Sequence, residues 1–216
     1  MSDYLENKLV DQIFKATAFT FPTVMAVALF AVNKGQRANS AAYTSGTDFI
    51  WLTANDGKTH IYKCTTSGTS AAAQSTLYPG VANEVISDGT AAFTEQTSQF
   101  DANALTANEV STSATGYARV SNNPNATASW NNTQGSASGA STGTAGTTTN
   151  VGAITFGAPT ATWGGTNAHV AAFGIYDATS AGNLLYWGYL TSPQAVNNGA
   201  GAPSIAVGAL SIQMDN

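Results

Sequence analysis

The sequence predicts a mainly β protein: a jelly-roll-like antiparallel β-sandwich with one N-terminal helix and an inserted small β domain. Three observations lead there. First, residues 168–212 alternate apolar and aromatic runs (AHVAAFGIYD, LLYWGYL, SIAVGALSI) with turns rich in Gly, Asn, Pro and Ser, which is the rhythm of antiparallel strands. Second, only 9% of the 216 residues are charged, against roughly 25% in an ordinary globular domain. Such a surface is either wetted by hydroxyl and amide groups or covered by neighbouring subunits. Third, the composition shifts along the chain. Of its 7 basic and 12 acidic residues, eight (Asp48, Asp56, Lys58, Lys63, Glu84, Asp88, Glu95 and Asp101) fall within residues 39–105. This marks a solvated insert, 39–105, within a charge-poor scaffold made of residues 1–38 and 106–216.

In chain order, residues 3–15 read as a helix. Asp3 and Glu6 have capping-box spacing, and Leu5, Leu9, Val10, Ile13 and Phe14 form an apolar stripe at helical period. The stripe is expected to enter the core. Pro22 then punctuates the chain before a buried strand over 23–32. In the insert, strands are expected at 49–53, 60–64 and 90–94, with tight turns at Asp56-Gly57 and Asp88-Gly89, because Asp-Gly suits positive φ. Later strands are expected at 115–120, 151–156, 160–163, 169–176, 184–190, 204–207 and 210–214. Residues 133–150 are almost all Gly, Ser, Thr and Ala, too poor in apolar side chains to order alone, and suit an arm ordered by a neighbouring subunit. No repeat of 20 to 50 residues is visible.

Composition also excludes function classes. A net charge of −5, with seven scattered cations, does not make a phosphate-binding surface, so nucleic acid is not an expected partner. The N-terminal apolar run, 24–32, is too short to span a bilayer and follows an acidic stretch, so neither a membrane anchor nor an export signal is expected. Cys64 is the only cysteine, which excludes an intrachain disulfide and suits a buried, inert thiol. From residue 106 onward the titratable side chains, tyrosines aside, are Glu109, Arg119, His169, Asp177 and Asp215. His60 and His169 lie in different modules, without Cys, Asp or Glu at ligand spacing, so no metal site is expected. No GxSxG elbow is legible, and GASTGTAG lacks the Gly-Lys-Ser/Thr ending of a phosphate loop. Asp48, Glu84 and Asp88 show no spacing that would pair carboxylates across a cleft. The chain is expected to be no enzyme and to hold no cofactor.

The candidate residues are therefore structural or interfacial. In so uncharged a scaffold a buried ion needs a partner, and Arg119 with Asp177 is the candidate pair. Trp163, Trp187 and Tyr189 are the aromatic candidates for core or interface anchors. Strict alternation along LLYWGYL places Leu185, Trp187 and Tyr189 on one face and Leu184, Tyr186 and Gly188 on the other. In the insert, Trp51 and Tyr62 are candidate glycan contacts, able in principle to stack on sugar rings.

The ordered series LFAVN (29–33), GYARV (116–120), ITF (154–156), ATWG (161–164), HVAAFGIYDA (169–178) and GNLLYWGYL (182–190) resembles a family of tailed-bacteriophage structural proteins. Its members are often labelled tail fibre proteins, and some serve as capsid cement or decoration proteins with a jelly-roll-like sandwich. The likeness covers 3–33 and 106–213. In the insert, YTSGTDFIWL, HIYKCTTSGTSA and VISDGTAAF resemble a small β module of phage virion proteins related in pattern to carbohydrate-binding domains, with Tyr78 standing where those domains usually carry a further Trp. The resemblance implies a virion structural protein made in the bacterial host cytoplasm and located on the capsid surface. It would be a cement subunit bridging copies of the major capsid protein and of itself, with a two-fold dimer as first expectation. The alternative it implies is a tail-fibre or baseplate-associated protein that binds host-surface glycan.

Overall fold

A computed structural model describes residues 1–74, 78–124, 129–131 and 146–214. The chain is mainly β and antiparallel, with a sandwich of sheets and one long helix at its N-terminus. Helix α1 runs Asp3–Phe14. Its N-cap is Ser2 rather than Asp3. The Ser2 hydroxyl accepts from Leu5 N and donates to the Leu184 carbonyl, while Ser2 N donates to Leu185 O at 3.0 Å. A serine meets the free N–H groups of the first turn while anchoring the helix to the sheet, and Asp3 and Glu6 are left to favour the positive end of the helix dipole.

Strand β1 (Ala26–Val32) is buried along its whole length. The remaining strands are β2 (Ala42–Tyr43), β3 (Phe49–Thr53), β4 (Thr59–Thr66), β5 (Gly68–Thr69), β6 (Val85–Asp88), β7 (Ala91–Glu95), β8 (Val120–Ser121), β9 (Thr147–Thr149), β10 (Ile154–Thr155), β11 (His169–Tyr176), β12 (Leu184–Gln194), β13 (Ser204–Ile205) and β14 (Ser211–Gln213). A central sheet has the order β12-β11-β1-β8, and a second four-stranded sheet has the order β3-β4-β7-β6. Three two-stranded ribbons, β2/β5, β10/β13 and β9/β14, complete the fold.

β1 is apolar throughout because both of its faces are covered. Val27, Leu29 and Ala31 enter one core with Tyr117, Phe156, Trp163, Val170, Ile175 and Leu210. Ala28, Phe30 and Val32 enter a second core with Phe49, Ile61, Phe100, Leu105, Tyr176 and Leu184. The second core lies between the central sheet and the small sheet. A third, of Tyr43, Ile50, Leu52, Tyr62, Cys64, Tyr78 and Phe93, lies on the far side of the small sheet. A strand with no wet face reads as a continuous hydrophobic run rather than an alternation, which is how residues 24–32 read.

The small sheet forms where the Asp-Gly signals predict turns. The β3–β4 hairpin closes through residues 54–58 with Gly57 at φ 78°, and β6–β7 closes through Gly89 (φ 67°) and Thr90. It also holds a buried ion pair with Arg37, whose side chain is 1% exposed. The guanidinium donates to both Asp88 oxygens (2.7 and 2.9 Å) and to Ala71 O and Ala73 O. Tyr78 and Ala71 N donate to the same carboxylate, so this buried ion pair is fully hydrogen-bonded, the condition under which such a pair is tolerated.

Several expected elements differ. Residues 160–163 are not a strand: Trp163 sits in a turn, fully buried, with its indole N–H donating to Thr115 O at 2.9 Å. The strand expected over 115–120 shrinks to β8, because Tyr117 is drawn into the first core and its hydroxyl accepts from Leu29 N. Strict alternation fails at the start of β12. A register shift pairs Tyr176 with Leu184 but Ile175 with Tyr186, leaving Leu185 as the extra residue. Leu184 therefore shares the second core with Trp187 and Tyr189, while Tyr186 packs against the first. Most of residues 133–150, with GASTGTAG, lies outside the described residues. Its end, β9, pairs with β14 of the same chain.

Phe30 is 1% exposed at the centre of the second core, edge-on to Phe100 with ring centroids 5.1 Å apart. Phe30→Ala is predicted to lower unfolding free energy by about 3–5 kcal/mol, read by urea titration. A loss under about 1 kcal/mol would mean the second core collapses around the vacancy.

Candidate functional site at the seam between the two sheets

The small sheet is held to the central one by side chains near its C-terminal end. After β7 the chain makes a short helix, α2 (Thr97–Asp101), and three aromatic residues of the central sheet receive it. Trp187 stacks on Phe100 (4.7 Å, 14° between planes) and donates from its indole N–H to Asp101 Oδ1 at 2.8 Å. Tyr189 stands edge-on to both Phe100 and Trp187 and donates to Glu95 Oε1 at 2.8 Å. The Tyr176 hydroxyl donates to Asn103 Oδ1 at 3.0 Å. Trp187 and Tyr189, candidates for core or interface anchors, are thus covered by the chain's own insert.

At the centre of this seam lies a charge cluster that spacing did not disclose. His60 on β4 sits between two carboxylates, with Nδ1 2.9 Å from Glu95 Oε1 and Nε2 3.1 Å from Asp56 Oδ2. The Glu95 side chain has no exposed surface. Thr97 donates to it through its backbone N–H (2.8 Å) and its hydroxyl (2.7 Å), beside the Tyr189 contact. Burial would lower the His60 pKa, but its bonds to Glu95 and Asp56 outweigh burial and raise it. Burial would raise the Glu95 pKa, and donation from His60, Thr97 and Tyr189 reverses that and lowers it. The Tyr189 hydroxyl is pushed well up, by burial first and then by Glu95. The His60 and Glu95 shifts favour an imidazolium–carboxylate pair locked between the sheets.

Arg119 pairs with Glu109, not Asp177. Nε and Nη2 contact the two Glu109 oxygens at 2.8 and 2.7 Å, Nη1 donates to Ala178 O and Ala181 O, and the guanidinium lies 3.6 Å from the centre of the Tyr176 ring. Tyr117 donates to Glu109 as well, so the cluster ties the edge of the central sheet to the β11–β12 turn. Asp177 instead organises that turn by accepting from Asn183 N (2.7 Å) and Nδ2 (2.8 Å). Gly182 (φ 78°) is required there, since a β-carbon would lie 2.5 Å from Asp177 Oδ1. Trp163 is a core residue, edge-on to Tyr117 and Phe156.

The aromatic residues singled out for glycan stacking are not arranged as a platform. Tyr62 is fully buried, edge-on to Tyr78 at 5.0 Å, and has no face to offer a sugar. Tyr78 is equally buried and donates to Asp88. Trp51 is half-buried against the second core and lies 5.9 Å from His169. The acidic candidates do not converge either: Asp88 is consumed by Arg37, Asp48 accepts from Thr44 N and lies 3.4 Å from Lys34, and Glu84 is exposed.

The stripe of α1 departs furthest from expectation. Leu5 is buried and Leu9 half-buried, but Val10, Ile13 and Phe14 are 47%, 67% and 79% exposed. The helix is tied to β12 through Ser2 at its first turn, and the stripe turns outward from Val10 on. Phe21, edge-on to Phe19, adds a further exposed ring.

Residues 58–213 match the family described as podophage GP4 fiber I protein gp80, over two thirds of the chain. The chain belongs to that family. No curated protein matches it. It is accordingly a bacteriophage structural protein and a virion component. The matched stretch takes in most of the small sheet as well as β11 and β12.

In this podophage fibre-family protein the His60 cluster gives stability a defined pH dependence. A raised His60 pKa contributes stability in full below its unfolded value, about 6.5, and loses it as pH rises through the folded value. A lowered Glu95 pKa contributes above about 4.5 and is lost as pH falls through the folded value. The melting-temperature advantage of the wild type over His60→Gln is therefore predicted to be greatest near about pH 6 and to shrink towards about pH 9. A constant difference over that range would contradict a charged imidazole at the seam.

Proposed function

We propose that this chain is a non-enzymatic structural subunit of the podophage fibre, attached to the particle through the outward face of α1. The observation that carries this reading is where its apolar surface lies. Of the nine large hydrophobic residues exposed among the described residues, five (Met1, Val10, Ile13, Phe14 and Phe21) belong to the first 21 positions. Elsewhere the chain spends its aromatic residues inside its own cores. The two exposed phenyl rings, at 79% and 63%, present roughly 280 Å², well short of the roughly 800 Å² per partner of a stable free complex. The occupant proposed for this face is therefore another protein of the particle, where repeated copies add weak contacts into firm attachment. In this reading the remaining surface is free to meet host-surface glycan, and neither nucleic acid nor membrane is a partner.

A second reading is the capsid cement or decoration subunit on the capsid surface, bridging copies of the major capsid protein and of itself as a two-fold dimer. It draws support from the charge-poor surface, which suits burial over a broad lattice. Copy number separates the two: a small set at the tail for a fibre, a coat over the head for a cement.

Particles grown with Ile13→Ser/Phe14→Ser in place of the wild-type chain test the attachment. The purified double variant should melt within about 2 °C of wild type, because both side chains are solvated, yet be missing from purified particles by mass spectrometry. Incorporation at the wild-type level would overturn the role given to α1.

A further inference from the structure

Where the link after β1, the turn before β11 and the segment after β12 meet the β2 edge of the small sheet, they enclose a groove of about 620 Å³. That volume lies within the range of small-ligand sites. The side-chain amides of Gln36, Asn167 and Asn197 line it, all exposed and none hydrogen-bonded to another described residue. His169, half-buried and tilted against Trp51, forms one wall. Lys34 also lines the groove, but its charge is already offset by Asp48 at 3.4 Å. No carboxylate lines it, and the apolar part is the methyl groups of five alanines with Tyr43.

We infer that this groove binds a neutral oligosaccharide. A side-chain amide both donates and accepts, so three of them match the paired donor and acceptor of neighbouring sugar hydroxyls. Alanine methyls give the C–H faces of the rings a shallow apolar bed. The alternatives fit less well. An anion would find no uncompensated cation beside the neutral amides, since Lys34 is paired. A peptide would find no deep apolar pocket for its side chains, which is where peptide grooves gain specificity. The site differs from the expected one, because neither Trp51 nor Tyr62 lines it and nine of its twelve lining residues belong to the scaffold.

This inference supplies a ligand class for the fibre reading and rests on it for its biological meaning. It is measured on the purified chain, so it can fail while the attachment through α1 stands, and the reverse. Saturation-transfer NMR with maltotriose, cellotriose, mannotriose and triacetylchitotriose, with tri-galacturonate as the anionic arm, reads it directly. At least one neutral trisaccharide should receive saturation. Gln36→Ala/Asn167→Ala should weaken its affinity by about ten-fold through two lost neutral hydrogen bonds. Ala195→Trp should abolish binding by filling the groove, and both variants should melt as wild type does. Absence of transfer from every neutral trisaccharide, transfer unchanged in both variants, or binding confined to tri-galacturonate would overturn it.

Discussion

Burying both faces of β1 obliges the chain to supply two apolar covers for one strand, and most of the architecture follows from how it does so. One cover comes from the segments after residue 106, through Tyr117, Phe156, Trp163 and Leu210. The other comes from residues 39–105, through Phe49, Ile61 and Phe100. Deleting the small sheet would expose Phe30, Tyr176 and Leu184 together, a contiguous apolar patch that a soluble protein rarely tolerates. The insert is thus half of the sandwich, and its surface charges belong to its outer side.

Polar contacts at the seam add orientation to that apolar adhesion. Glu95 accepts from His60 of its own sheet, from Thr97 at the start of α2 and from Tyr189 of the other sheet, while Trp187 reaches Asp101. Buried carboxylates with several donors tolerate few alternative arrangements, so the two sheets meet in one register. Arg119 does the same at the opposite edge, where Glu109 and the Tyr176 ring fix the β11–β12 turn. A sandwich whose buried ions are each paired within the chain suits a virion component that must hold its shape. The apolar end of α1 is the feature such a body does not use for itself.

Much of this frame was legible in the sequence. The bounds of β3 and β11 agree with expectation to the residue, because strands covered on both faces carry unbroken apolar runs closed by turn residues. What escaped was set by tertiary context. The extra residue at Leu185 inverts the facing of Leu184, and nothing local in LLYWGYL announces it. His60 finds Glu95 at a separation of 35 residues, beyond any ligand-spacing rule. Glu109, Tyr117 and Arg119 lie close enough in sequence that their ion pair was within reach, had the scaffold's few charges been matched by proximity. The α1 stripe has flawless helical period, yet periodicity reports a face without saying whether the chain itself covers it.

The central claim is that the two sheets stand or fall together on β1. Native-state hydrogen exchange tests it most directly, by comparing the opening free energies of amides in β1 and β11 with those in β4 and β7. The account predicts that both sets open only through the same global unfolding and share one free energy. If the β4 and β7 amides exchanged through a much cheaper opening while β1 and β11 stayed protected, the insert would be a separate domain resting on a self-sufficient scaffold, and the account would be wrong.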